Sequence, residues 1–228
     1  KRRAEARPTN AMTSEGTHRI VIVGGGAGGL PLAALLGDKL AKRRRAEVSL
    51  VDPFPTHVWK PLLHEVAAGR MDADSHGVDY PAIAHRHGFR FRQGAMTGLD
   101  RGRKTVRVAA VRDDEGAEVL PERDVPYDTL VIAVGSESND FGVPGVAAHA
   151  IKLDTPPQAE RFHRRLLAAS VRADARKGGG GVGTVDIVII GAGATGVELA
   201  AEIRQTTRAH PTYGLDHPHP ERDIRMAV

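Results

Sequence analysis

The stretch His18-Arg19-Ile20-Val21-Ile22-Val23-Gly24-Gly25-Gly26-Ala27-Gly28-Gly29 decides how this chain folds. Residues 20–23 are continuously apolar rather than alternating, which predicts a parallel strand covered on both faces. That strand runs straight into Gly24-x-Gly26-x-x-Gly29. Residues 27–42 then place Leu30, Leu32, Ala33, Leu35, Leu36 and Leu40 at helical spacing, with Pro31 early enough to be tolerated. The glycines have separate tasks: Gly24 makes the turn, Gly26 lets backbone approach a pyrophosphate, and Gly29 lets the helix pack on the strand. The helix N-terminus, entered through Ala27 and Gly28, supplies N–H groups and a positive dipole end. A second apolar run, residues 47–51, ends in Asp52, 28 residues after Gly24, where a carboxylate can accept hydrogen bonds from ribose hydroxyls. Strand, turn, helix, strand and acid in this order predict a dinucleotide-binding β-α-β unit.

The pattern returns 167 residues later. Residues 185–190 read as a second buried strand, and Gly191-Ala192-Gly193-Ala194-Thr195-Gly196 opens an Ala- and Leu-rich helix. Two such turns imply two cofactors, or one cofactor and one dinucleotide substrate. Glu198 lies in the first turns of the second helix. The helix dipole alone would favour an anion there; a role near a nicotinamide is the other reading.

Between the two units the character changes. Residues 62–68 form a short helical pattern ended by Gly69, and residues 89–93, 105–112, 117–120 and 128–134 read as strands. Asp113-Asp114-Glu115-Gly116 supplies turn chemistry, so a small antiparallel insert is expected before a buried strand at 130–134. A helix follows at about 158–176, then a flexible glycine-rich loop at 177–183. The fold class is α/β with two Rossmann-like lobes. Residues 1–17 read as a disordered leader, 18–150 as the first lobe and 151–228 as the start of the second.

Composition narrows the function. Thirty-two Lys and Arg against 28 Asp and Glu leave +4, and the basic runs at 1–3, 42–45 and 161–165 suit solvated helix faces. No basic stripe with interleaved aromatics appears, so nucleic acid is not expected as a partner. With no cysteine the chain carries no disulfide, thiolate metal site or thiol redox centre. No apolar run approaches the ~20 residues that span a bilayer, and the leader has no signal-peptide apolar segment. His57 and His64 lack an acid at ligand spacing, and His85, His87, His210, His217 and His219 read as loop residues, so no metal site is expected.

One strand adds a family resemblance. Tyr127-Asp128-Thr129-Leu130-Val131-Ile132-Ala133-Val134-Gly135-Ser136 resembles the strand ending in Ala-Thr-Gly of flavoproteins that bind FAD on one lobe and a pyridine nucleotide on a second, inserted lobe. Val134 stands where Thr is usual, which removes a hydroxyl but leaves Ala133 and Gly135 able to pack against FAD. His57-Val58-Trp59-Lys60-Pro61-Leu62-Leu63-His64-Glu65-Val66-Ala67-Ala68-Gly69 resembles the matching segment of type II NADH:quinone oxidoreductases. Disulfide, peroxide and sulfide:quinone reductases are relatives that use cysteine, which this chain lacks. A surface loop anchored by Trp59 and Leu62 is the plainer reading of that segment.

The resemblance spans about residues 18–202. It implies FAD on the first lobe, NADH on the second, Lys60, Pro61 and Leu62 beside the flavin, and a quinone as electron acceptor. It also implies peripheral attachment on the cytoplasmic side of a bacterial membrane, through C-terminal residues not in this sequence, and leaves room for a homodimer. Residues 223–228 read as the second strand of the second lobe, with the acid that separates NAD from NADP expected next. On that reading residues 1–228 alone should hold FAD poorly, expose apolar strand edges and be inactive. A soluble FAD-dependent reductase of a ferredoxin or another acceptor shares all of these motifs. So does a nucleotide sensor without turnover.

Overall fold

The computed structural model describes residues 16–209, 219 and 221–228. The leader falls almost wholly outside the described residues, as do His210, His217 and most of the polar loop that follows the last helix. In chain order the elements are β1 (His18–Val23), α1 (Gly29–Leu36) continued by a π-helical turn (Gly37–Ala41), β2 (Ala46–Asp52), β3 (Thr56–His57), a 3-10 turn (Lys60–Leu62), α2 (Leu63–Ala68), α3 (Ala73–His76) and β4 (Val78–Asp79). They continue with α4 (Tyr80–His87), β5 (Arg90–Gln93), β6 (Met96–Asp100), β7 (Thr105–Val108), β8 (Val111–Arg112), β9 (Glu118–Leu120), β10 (Arg123–Pro126) and β11 (Thr129–Ile132). Last come α5 (Val146–His149), α6 (Pro156–Gly178), β12 (Val185–Val188), α7 (Ala194–Arg208) and β13 (Ile224–Ala227).

Internal packing divides the chain into two compact units, Lys1–Pro55 with Tyr80–Val134, and Thr56–Asp79 with Gly135–Val228. This differs from a simple cut at residue 150. The short helix α2 buries Leu63, Val66, Ala67 and Ala68 among residues of α6 and α7, so its excursion belongs with the second unit.

In the first unit β11, β1, β2 and β5 form a four-stranded sheet in that order, every pair parallel. Two cores explain why β1 and β2 are apolar without alternation. Ile20, Ile22, Val48 and Leu50 pack with Ala33, Tyr80, Ala84 and Phe89 on one face, while Val21, Val23 and Val51 meet Val106, Val108, Val125 and Tyr127 on the other. Each such side chain contributes on the order of 1.5–3 kcal/mol by leaving water.

Three readings of this region need correction. Residues 90–93 pair parallel with β2 as the fourth strand of the sheet, because Phe91 packs against the core beneath α4, so they do not belong to the insert. The antiparallel insert itself is β10-β7-β6, with a separate β8–β9 hairpin. Residues 105–112 divide between β7 and β8, while β6 and β10 were hidden by Gly98 at a register shift and by the charge and terminal proline of residues 123–126. Finally, His85 and His87, read as loop residues, lie on α4, where His87 Nδ1 meets Asp38 Oδ2 at 2.8 Å.

The second unit packs α2, α6 and α7 against the parallel pair β12–β13 through Leu63, Val66, Leu166, Ile187, Leu199, Ile203 and Ile224. Helix α6 starts two residues earlier than spacing suggests. Thr155 and Gln158 form a reciprocal capping box around Pro156, which supplies partners to otherwise orphaned N–H groups.

Burial of β11 and β12 on both faces does not hold among the described residues. Ile132 and Val134 are 56% and 64% exposed, and Val188 and Ile190 are 74% and 72% exposed. Among the described residues β11 is an edge strand and β12 pairs only with β13.

His163 on α6 is a titratable group in this interior. A side chain at Gly69, the left-handed C-cap of α2, would strike its ring. Burial pushes the imidazole below its ordinary range, against a hydrogen bond with the Ala67 backbone that raises it and with Arg164 lowering it further. The folded state therefore keeps His163 neutral, and its contribution is present above about pH 6.5, where the unfolded residue is neutral too. It is lost as pH falls below that value, because the unfolded state takes up the proton first. Thermal melts at stepped pH should decline as pH falls below about 6.5, and His163→Gln should flatten that decline. Parallel slopes for both proteins would contradict the assignment.

Candidate nucleotide-binding turns

Two glycine turns, one in each unit, repeat the same construction. Gly24 and Gly191 both adopt positive φ, +99° and +115°, a conformation a side chain would strain. Five residues on, a Cβ on Gly29 or Gly196 would sit well inside 3.0 Å of the carbonyl oxygen of Gly24 or Gly191 respectively. The third glycine therefore presses the helix onto the turn itself. The middle glycines, Gly26 and Gly193, are different: a Cβ there would have no heavy atom within 4 Å. Nothing inside either unit requires glycine at these two positions. Both stand just before or at the starts of α1 and α7, where N–H groups and the dipole favour an anion.

The surroundings of the two turns differ. Gly24, Gly25 and Gly29 are buried, while Ala27 and Gly28 are exposed. The Ala133 carbonyl lies so close to Gly24 that no Cβ would fit, and the Ala133 N–H donates to the Val23 carbonyl at 2.7 Å. Asp52 holds the turn from β2: Oδ2 accepts the Gly25 N–H at 2.7 Å and Oδ1 accepts the Phe54 N–H at 3.0 Å. From below, the Tyr80 hydroxyl donates to the Gly25 carbonyl at 2.8 Å, and its ring stacks on Phe91 at 5.1 Å. Burial, reinforced by the charge of Asp52, pushes the Tyr80 phenol upward, so it stays a donor. Sequence spacing placed Asp52 on ribose hydroxyls; the structure shows the same carboxylate bracing the glycine turn. Tyr80 was missed because nothing in the spacing links residue 80 to residue 25. In the second turn Gly191, Gly193, Ala194 and Thr195 are all exposed, and Gly196 is half-buried.

Other sequence-selected residues gather in the second unit. The Lys60 ammonium donates to Asp154 Oδ1 at 2.7 Å and to the Ser136 carbonyl at 2.6 Å. Burial alone would raise the Asp154 carboxyl, but Lys60 together with the Ser138 N–H and hydroxyl outweighs it and holds the group below its usual range. Lys60 thus ties the 3-10 turn to the residue after Gly135 and to the cap of α6. Pro61 is exposed, and Leu62 is half-buried against the core. Gly135 has φ +76° and open space around it. Glu198 on α7 is half-exposed, with Oε2 3.6 Å from His64 Nδ1 on α2.

The sequence from 18 to 220 matches the pyridine nucleotide-disulphide oxidoreductase family, a range that includes both turns. The chain belongs to that family. Among relatives it is 43% identical over 207 residues to the type II NADH:quinone oxidoreductase of Haemophilus influenzae, covering 86% of this chain and 47% of that protein. It is 29% identical over 198 residues to the type II NADH:quinone oxidoreductase NdhA of Mycobacterium tuberculosis, covering 82% of this chain and 38% of that one. The chain therefore spans less than half the length of these two relatives. Among solved structures, NDH2 from Plasmodium falciparum in complex with NADH superposes with a TM-score of 0.69 at 21% identity, over 92% of this chain and 41% of that one. The sulfide:quinone oxidoreductase of Aquifex aeolicus gives 0.61 at 16% identity, over 87% and 42%. Both likenesses support the α/β fold with Rossmann-like lobes, as expected of this family. No helix among the described residues is long and apolar enough to cross a membrane.

Proposed function

We propose that the protein is an FAD-dependent NADH:quinone oxidoreductase. The observation that carries this reading is the doubled turn, each with a middle glycine kept open for an outside approach, in a chain 43% identical to a type II NADH:quinone oxidoreductase. The open cradle at Gly26, with N–H groups at the start of α1, fits the pyrophosphate of FAD. When bound, FAD would supply a carrier that takes hydride from NADH and delivers two electrons to quinone.

The chain's own residues bind and orient. Gly24, Gly26, Ala27, Gly28 and Gly29 hold the pyrophosphate of FAD, and Asp52 fixes the turn and takes a ribose hydroxyl. Ala133, Gly135, Lys60, Pro61 and Leu62 are assigned as further flavin contacts. Gly191, Gly193, Ala194, Thr195 and Gly196 hold NADH, and Glu198 holds or releases a proton beside the nicotinamide. Attachment to the cytoplasmic face of a membrane, and a homodimer, complete the proposal; both rest on the family likeness.

The test uses the full-length protein loaded with FAD. NADH should bleach the flavin absorbance, and a water-soluble quinone should restore it. Glu198→Gln should slow the quinone step about 10²-fold, the usual scale for losing a positioned acid–base group. A flavin spectrum unmoved by NADH would refute the proposed activity; unchanged rates in both half-reactions of the variant would refute the role of Glu198 alone.

A further inference from the structure

One buried polar group in the second unit has no task in the scheme above. His64 on α2 is 8% exposed, and its Nδ1 is sealed from solvent with no hydrogen bond. Leaving such a nitrogen unpaired costs on the order of 1–3 kcal/mol, so its nearest polar neighbour matters. That neighbour is Glu198 Oε2 at 3.6 Å, just beyond hydrogen-bond reach and within a small side-chain adjustment of it. The apposition is built in: one helical turn along α7, Glu202 pairs with Arg70, beyond the end of α2, at 3.0 Å. Two acid–base pairs therefore face each other between α7 and the segment of α2 and Arg70. They differ in one respect, because the carboxylate of Glu202 is largely covered whereas that of Glu198 is 53% exposed.

We propose that His64 is the positioning residue for Glu198, its Nδ1–H gripping one carboxylate oxygen and leaving the other turned to the nucleotide. This rests on the reading of Glu198 as the group beside the nicotinamide. Glu198 lies five residues past Gly193, the N-cap of α7, so it projects from the same end of the helix as the second turn. A half-exposed carboxylate on a flexible stem samples several rotamers; a fixed donor selects one, which is how a buried imidazole aids a reacting group it never touches. His64 also explains its own burial. Alanine or leucine would pack that face of α2 as well, but neither could donate.

Two measurements on the full-length, FAD-loaded protein test this. In ¹⁵N spectra, His64 Nδ1 should carry a proton protected from exchange, and Glu198→Ala should abolish that protection while the rest of the spectrum holds. In kinetics, His64→Leu should lower kcat about tenfold with the KM for NADH nearly unchanged, the loss expected for one hydrogen bond to a charged group. His64→Asn, which offers an amide N–H near the position of Nδ1, should recover most of that rate. Identical Nδ1 signals with and without Glu198 would overturn the proposal. So would a folded His64→Leu protein with wild-type kcat, or an Asn variant no better than Leu. Should NADH fail to reduce the flavin of the wild-type protein, the proposed activity falls, and the spectra alone still decide whether His64 holds Glu198.

Discussion

Gly29→Ala should give a protein that melts well below wild type and comes off purification without flavin. Its Cβ would enter the space of the Gly24 carbonyl oxygen, which is fixed on both sides: Gly24 N–H donates to the Val51 carbonyl at 2.8 Å, and Ala133, just past the end of β11, presses on Gly24. Neither the turn nor α1 can yield without disturbing the core around Ile22 and Leu50, so the cost should reach about 3 kcal/mol, the upper end for overpacking. Gly26→Ala is the matched control. No heavy atom lies within 4 Å of its Cβ, so FAD-free protein should melt as wild type does, while the Kd for FAD rises at least about tenfold. Comparing FAD-free proteins matters, since bound cofactor raises the melting point by itself. If Gly26→Ala binds FAD with wild-type affinity, the first turn is not the pyrophosphate site.

The second turn should show the same division with the other nucleotide. Gly193→Val should leave folding and FAD content intact and raise the Kd for NADH at least about 10²-fold, because its side chain fills the open space at the start of α7. Gly196→Ala, whose Cβ would meet the Gly191 carbonyl oxygen, should instead destabilise the second unit. Titrating NADH against flavin-loaded protein, alongside thermal melts, separates the two. Loss of FAD rather than NADH in Gly193→Val would reverse the assignment of the turns.

These pairs also show where sequence reading stops. The roles of the first and third glycines were legible, because positive φ and helix-on-strand packing are local demands that only glycine meets. The middle glycine has open space around it, which spacing alone does not reveal. Asp52 was found as the acid at the end of β2, yet its grip on the Gly25 N–H required the folded turn. Tyr80 and Asp154 gave no signal, since their partners lie 55 and 94 residues away in sequence.

By itself, then, the sequence determined the elements with strong local causes: both strand-turn-helix units, the stop at Gly69, the long helix from about residue 158 and the presence of an antiparallel insert, though not its strands. Only the tertiary structure decided that residues 90–93 complete the parallel sheet and that residues 56–79 pack with the second unit. It alone showed that β12 leaves one face uncovered and that the end of β11 is exposed, among the described residues. The physical reason is range. Turn chemistry and helical periodicity act over a few residues, whereas strand partners and the mates of buried polar groups are chosen by packing between segments far apart in the chain.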